Sequence, residues 1–434
     1  MSDIHLWTVN QLKNYCRDNG IKNYSRLRKK ELQTLVISLT PQPKKFIDLF
    51  CGIGGFHLAL SKMGYNCVFA SDIDKKCQST YKTNYGMEVA GDIREIDPTE
   101  IPPFDILCAG FPCQPFSKAG LQNGFQDTRG TLFYDICRIV EHHTPEYLIL
   151  ENVRNLASHN NGQTWKTILK SLDELGYYTY EQPLILSPLH FNVPQNRERV
   201  IILCKRKDLG VLPPRPDVAK HPKTTLLSTL EQFVSDKYQS TISTSLKAVK
   251  AVWNQFIKIC NDNNITIPKF PIWTDLWDVD LADHEVMYKK YTTWIDKNRA
   301  FYQQHKTLLH PWLTQSREDD HWKGAMRKFE WQVPENIIGN LDQLLWSCRG
   351  SGIRVKNIDY VPTLVAINHT PVYGPLNRKL VPQELLKLQS FPEDFKYDEK
   401  SIYKQVGNAV NVEVIYRSAM FLIQDQPLFE AISN

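Results

Sequence analysis

The sequence predicts an α/β protein: a doubly wound, mostly parallel sheet, interrupted by an inserted domain and preceded by a small helical module. Three observations carry this. From Phe46 to about Lys205, short apolar runs alternate with helix-patterned stretches, as they do in βα units whose helices cover both faces of a parallel sheet. Between residues 206 and 360 the rhythm breaks, and seven of the ten tryptophans fall there before residue 340. Before residue 41 the periodicity is helical only. The expected organisation is therefore a module at 1–40, an α/β domain at 46–205, an insert at 206–360 and a return to the α/β domain at 361–434.

In the module, Thr8-Val9-Asn10-Gln11 fits a capping box and Gly20 a helix C′ position. Val9, Leu12 and Cys16 form one apolar stripe; Leu32, Leu35, Val36 and Leu39 form a second. Residues 1–45 hold nine Lys/Arg against three Asp/Glu, a net +6 in a chain of +5, which leaves the other 389 residues near −1. Such a segment is either an arm for a polyanion or an ordinary solvated helix face. With Lys22-Asn23-Tyr24-Ser25-Arg26-Leu27-Arg28-Lys29-Lys30 between its helices, it resembles the SAP motif, a helical DNA-binding module. Pro41-Gln42-Pro43 reads as a linker.

In the α/β domain the expected strands are 46–50, 68–71, 106–109, 148–150 and 200–204, with helices at 131–142 and 164–175. In the insert, the tryptophans read as core rather than as base-stacking groups. Composition is that of a globular chain, 42% hydrophobic and 23% charged. No apolar run approaches the roughly 18 residues of a membrane span, and the N-terminus lacks a signal-peptide core. The ten cysteines form no CxxC or CxH cluster, which argues against a zinc site or disulfide framework and for a reducing, intracellular setting.

Function is read at the ends of the expected strands, where open α/β sheets bind ligands. Asp48-Leu49-Phe50-Cys51-Gly52-Ile53-Gly54-Gly55-Phe56 is a strand followed by a glycine-rich turn, and Asp72 and Asp74 close the next strand. GxGxxG spacing is absent, since position 57 is His57. An adenosine ligand without a pyrophosphate fits, S-adenosylmethionine first among them; Asp72 suits its ribose, and Asp92, in Gly91-Asp92-Ile93, its adenine amino group. Phe111-Pro112-Cys113-Gln114 follows the third strand and opens a loop with Ser117-Lys118-Ala119-Gly120. Cys113 is either a small buried hydrophobe or a nucleophile in an electropositive loop. Leu150-Glu151-Asn152-Val153 sets a carboxylate at a buried strand end, where burial favours the protonated acid. Gln195-Asn196-Arg197-Glu198-Arg199 and Gln405-Val406-Gly407-Asn408-Ala409 complete the set, with Arg378-Lys379-Leu380 and Glu384.

In this order these motifs resemble the DNA (cytosine-5)-methyltransferase family, bacterial modification-methylase type, over residues 46–205 and 360–434. The resemblance implies the S-adenosylmethionine-dependent methyltransferase fold, a target-recognition insert, and duplex DNA as substrate. It implies catalytic roles for Cys113, Glu151, Arg197 and Arg199. Phe50, Gly52, Ile53, Gly54, Asp72, Ile73, Asp92, Ile93, Pro112 and Asn408 match cofactor-binding positions; Gln114, Ser117 and Lys118 fall on the loop that closes over DNA. Position 73 is often aromatic in the family, so Ile73 is a departure. A thiolate at Cys113 would add to cytosine C6, Glu151 would hold the proton at N3, and Arg197 or Arg199 would hold the O2 side or nearby phosphates. The base must leave the stack first. No metal is implied; a monomer is expected, with a cognate restriction endonuclease as a companion activity. A tRNA cytosine-5 methyltransferase remains a rival, but its Cys-Phe-Thr signature is missing. Ile101-Pro102-Pro103-Phe104 lacks the acid or amide of an amino-methyltransferase. A catalytically inactive DNA-binding protein on the same fold is the third reading, although Cys113, Glu151, Arg197 and Arg199 are all present.

Overall fold

The computed structural model describes the chain apart from residues 1–3, 40–42, 113–130, 219–231, 279–284, 336, 366–369 and 430–434. The N-terminal module is two helices, α1 (Val9–Asp18) and α2 (Lys29–Leu39). The expected capping box forms: Gln11 N donates to Thr8 Oγ1 at 3.3 Å, and Thr8 N to Gln11 Oε1 at 2.8 Å. Gly20 takes φ +65° just past α1. Ile4, Leu12, Cys16, Leu32 and Val36 close a core of the module's own.

The α/β domain runs β1 (Lys45–Leu49), α3 (Gly55–Lys62), β2 (Asn66–Ser71), α4 (Lys75–Tyr85), β3 (Ile106–Gly110), α5 (Leu132–His143), β4 (Tyr147–Val153), α6 (Gln163–Glu174), β5 (Tyr177–Tyr178), β6 (Leu184–Leu186), β7 (Gln195–Asn196) and β8 (Arg199–Arg206). The sheet order is β2-β1-β3-β4-β8-β5, with β6 also on β8. β2, β1, β3 and β4 are parallel. The apolar runs of β1, β3 and β4 are buried between helix layers, as central parallel strands require, while β2 at the edge is half-buried. α3 packs on one face through Phe56, Ala59 and Leu60, and α5 and α6 on the other through Phe133, Ile136, Ile168 and Leu172. The expected strand at 200–204 lies in this sheet but runs antiparallel, slotted between β4 and β5. It enters from β6, its antiparallel neighbour, without the helical crossover that a parallel strand needs.

The insert contributes α7 (Thr244–Asp262), β9 (Ile272–Trp273), α8 (Glu285–Gln304), α9 (Lys306–Ser316), β10 (Lys328–Gln332), β11 (Leu345–Arg349) and β12 (Gly352–Lys356). Then come β13 (Val361–Pro362), β14 (Val372–Tyr373), β15 (Arg378–Lys379), α10 (Pro382–Leu388), α11 (Ile402–Asn408) and α12 (Val412–Gln424). The second sheet is ordered β15-β14-β11-β12-β10-β9. It therefore reaches Lys379, beyond the expected boundary at residue 360. The chain touches the α/β domain at β13, which forms a separate two-stranded sheet with β7, and leaves again because β14 completes the edge of β11. Trp253, Trp277, Trp312, Trp322, Trp331 and Trp346 are buried in the insert's core. α12 finally packs its Ile415, Ala419 and Leu422 into the same cluster as α3. Among the described residues no helix is long and apolar enough to cross a membrane.

Candidate functional site

Parallel register brings the chemistry together. β3 and β4 are neighbours with Gly110 opposite Glu151, so the turn after β3 and the end of β4 open side by side. β1 lies beside β3 and β2 beside β1, and Phe50 and Asp72 directly follow them. The result is a cleft of about 520 Å³ along the carboxyl ends of the strands. It is lined by Phe50, Gly52, Asp72, Ile73, Asp92, Ile93, Pro112, Glu151, Arg197, Arg199 and Asn408, among others. That volume is typical of a small-molecule site.

The glycines of the first turn have different duties. Gly52 has φ +54° and nothing within 4 Å of where a Cβ would stand, so its backbone faces open space. Gly54, at φ +85°, is pressed under the Tyr85 ring. Gly55 is covered by Val410, whose Cγ2 and carbonyl oxygen would lie 2.5 and 2.7 Å from an added Cβ. Ile53 is buried in the core. The structure therefore does not bring Ile53 or Gly54 to the cleft wall; packing partners distant in sequence set their surroundings.

The acids are held by the loops they terminate. Asp72 accepts from Gly52 N at 2.8 Å and from Asp74 N at 2.8 Å. Burial raises its pKa, against those two N–H donors. Asp74 caps α4, accepting from Lys76 N at 2.9 Å, and pairs with Lys404 at 3.0 Å. Asp92 is engaged by Arg94, whose hydrogen bonds lower its carboxyl below the usual range. Ile73 is 71% exposed and lines the cleft, an apolar ledge between two acids.

At the other end, Glu151 is 8% exposed and ion-pairs with Arg199 at 2.7 Å. Its Oε2 would lie 3.6 Å from a Cβ on Gly110. Asn152 braces the neighbouring turn, donating to the Phe111 carbonyl at 2.9 Å. The sequence gives Arg197 and Arg199 like roles, and the structure separates them. Arg199 is the partner of Glu151. Arg197 is 3% exposed and spends its fork on two carbonyls, Leu364 at 3.1 Å and Ala409 at 2.9 Å. Burial, then the Arg199 charge, lowers its pKa to about 9. Its Nε finds no partner among the described residues. Cys113, Gln114, Ser117 and Lys118 lie outside the described residues; Pro112, next to Cys113 in sequence, lines the cleft. Sequence reasoning missed Lys404, Arg94 and Cys77, which line it too. Lys404 adjoins the Gln405–Ala409 motif, a signal that was available. Among the described residues no cluster suited to a metal ion occurs.

Residues 44–423 match the family model for C-5 cytosine-specific DNA methylase. The chain belongs to the C-5 cytosine-specific DNA methylase family. Curated members resemble it over most of their length. Type II methyltransferase M.HaeII of Haemophilus aegyptius is 44% identical, covering 86% of this chain and 90% of that protein. M.HpaII of Haemophilus parainfluenzae is 32% identical over 87% and 89% of the two chains. M.AluI of Cellulosimicrobium cellulans is 31% identical over 85% and 90%. The protein is thus a DNA cytosine-5 methyltransferase, and S-adenosylmethionine is its methyl donor.

Proposed function

We propose that the cleft is the reaction chamber of this methyltransferase, with the cofactor along β1 and β2 and the target cytosine over β3 and β4. One observation carries the reading: Gly110 and Glu151 face each other in adjacent parallel strands, so Pro112 and Glu151 share a cleft with Phe50, Gly52, Asp72 and Ile73. The cofactor end fits its ligand. Gly52 leaves a gap that a Cβ would fill, Ile73 offers an exposed apolar ledge, and two acids stand at strand ends. Phe50, Gly52, Asp72, Ile73, Asp92, Pro112 and Asn408 would hold it. S-adenosylmethionine supplies, when bound, an electrophilic methyl group on a sulfonium.

The chain's own residues do the rest. The Cys113 thiolate adds to C6 of a flipped cytosine, forming an S–C6 bond and moving the ring's electrons toward C5. Glu151 holds the proton at N3, and its ion pair with Arg199 fixes the carboxyl's direction. After C5 has been methylated, a base removes H5, the C5–C6 double bond reforms, and the Cys113 thiolate leaves. Splitting one difficult substitution into addition and elimination is the usual gain of a covalent nucleophile. Arg197, on the cleft wall, ties Leu364 to Ala409. Cys113→Ala is expected to abolish methyl transfer, a loss of several powers of ten at about 1.4 kcal/mol each, with DNA binding retained. A duplex carrying 5-fluorocytosine should trap a covalent adduct with wild type. Activity within tenfold of wild type, or no adduct, would refute the covalent route.

The insert at 206–360 is read as the target-recognition domain, and the Type II relatives point to a modification role with a cognate endonuclease on the same site. The N-terminal module is read as a DNA-backbone contact. Arg17, Lys22, Arg26, Arg28, Lys29 and Lys30 are exposed, and only Arg17 has an acid partner among the described residues, Asp18. Arg28, Lys29 and Lys30 crowd the N-terminal end of α2, where the helix dipole disfavours cations. A phosphate backbone relieves that repulsion.

A further inference from the structure

We infer that Tyr85 is a positioning residue for the cofactor, acting through the turn after β1. Tyr85 is the last residue of α4. Its hydroxyl reaches the carbonyl oxygens of Ile53 at 3.0 Å and Gly54 at 3.1 Å. Its ring occupies the space that a side chain on Gly54 would need. It stacks on His57 with centroids 3.9 Å apart and planes 17° from parallel. His57 Nδ1 in turn lies 2.7 Å from the Tyr81 hydroxyl, and Tyr81 meets Tyr85 edge-on at 4.5 Å.

The other end of α4 is tied to the same turn. Asp72 and Asp74 stand at its start, and Asp72 accepts from Gly52 N. The segment from the end of β2 through α4 therefore grips the glycine turn twice: at Gly52 through the Asp72 carboxylate just before the helix, and at Ile53–Gly54 through the tyrosine hydroxyl at its end. Gly52 and Gly54 both have positive φ, a conformation that glycine adopts freely and also leaves freely. A turn of that kind presents its backbone to a ligand only if something else fixes it. The Tyr85 hydroxyl does so from behind, without entering the cleft. A site already set in its binding geometry loses less freedom on binding.

This rests on the placement of the cofactor proposed above, and the experiment separates the two. The probe is sinefungin, an unreactive analogue of the methyl donor, titrated calorimetrically into the full chain. Tyr85→Phe keeps the ring and removes the hydroxyl. It should weaken sinefungin binding about threefold to tenfold, the range of one hydrogen bond, and raise KM for the methyl donor with kcat unchanged, as removal of uniform binding does. Tyr177→Phe is the control. Its buried hydroxyl also serves a carbonyl, that of Pro145 at 2.6 Å, in a residue that does not line the cleft. It should cost similar stability and leave binding intact. Equal binding by wild type and Tyr85→Phe, or equal weakening by Tyr177→Phe, overturns the positioning role. Ile73→Asp tests the cleft itself: if it binds sinefungin as wild type does, the cofactor placement fails, whatever Tyr85 does.

Discussion

Two glycines three positions apart should fail in opposite ways when replaced by alanine. At Gly52 there is room for a methyl group, with no heavy atom within 4 Å, but φ is +54°. The backbone penalty for an L residue there is about 1 to 2 kcal/mol. The new methyl points into open space beside the proposed cofactor. At Gly55 the backbone is ordinary, but a Cβ would stand 2.5 Å from Val410 Cγ2 and 2.7 Å from the Val410 carbonyl oxygen. The side chain can rotate away; the carbonyl cannot. Overpacking of this kind costs roughly 1 to 3 kcal/mol. Gly52→Ala should therefore lose about 1 to 2 kcal/mol of stability in urea while binding sinefungin at least tenfold more weakly, about 1.4 kcal/mol. Gly55→Ala should show the larger drop in stability. Val410→Ala added to Gly55→Ala should restore part of it, because it removes Cγ2 and leaves the oxygen. A positive coupling in that double-mutant cycle is the diagnostic. Gly52→Ala binding as tightly as wild type would place the cofactor elsewhere. Gly55→Ala as stable as wild type would refute the packing against Val410.

Two further outcomes are expected. Burial lowers the His57 imidazole to about 4, so between about pH 4 and 6.5 the unfolded chain binds a proton there that the fold does not, and wild-type stability should climb with pH relative to His57→Gln by up to about 1.4 kcal/mol per unit; urea curves of the two proteins that stay parallel from about pH 4.5 to 6 would show that the imidazole is charged in the fold. A chain starting at Lys44 should methylate the same sites but bind DNA more weakly with a shallower salt slope, lower by roughly one for each phosphate that the module neutralises; an unchanged slope would remove the DNA-binding reading of the module.

The strand ends were legible because buried parallel strands write themselves as apolar runs, and the first polar residue after each run must sit at the sheet's edge. Asp72, Pro112 and Glu151 were found that way, and the structure places all three on one cleft. The individual duties of the glycines were not legible. Gly52, Gly54 and Gly55 look alike in sequence, and only the arrival of Tyr85 and Val410 separates the one that faces the open cleft from the two that are packed. The two arginines fail for the same reason. Alternation at Arg197 and Arg199 sets their faces, but the Leu364 and Ala409 carbonyls that absorb Arg197 lie 167 and 212 residues away. The direction of β8 was hidden because an apolar run carries no arrow. The insert's far boundary was blurred because between Val361 and Lys379 the chain first pairs β13 with β7 of the α/β domain and then returns to the second sheet at β14 and β15.

Those long separations also explain how an insert of such size sits within one catalytic unit. The cleft is made mostly from the N-terminal half of the chain, but its closure comes from the C-terminal return. Gln405 donates to Thr80 at 3.1 Å, Lys404 pairs with Asp74, Val410 fills the space beside Gly55 and Gly110, and the Ala409 carbonyl takes one arm of Arg197. The other arm of Arg197 holds Leu364, just after β13 pairs with β7. One buried guanidinium thus fastens the insert's far end and the C-terminal motif to the strand that begins with Glu151's partner, Arg199. The insert's own core of tryptophans closes on itself. Under the target-recognition role proposed for the insert, its DNA-facing residues could vary without loosening the chamber, provided that these few ties persist. Specificity and chemistry would then be carried by different cores, and Arg197 is one of the places where the two cores are tied together.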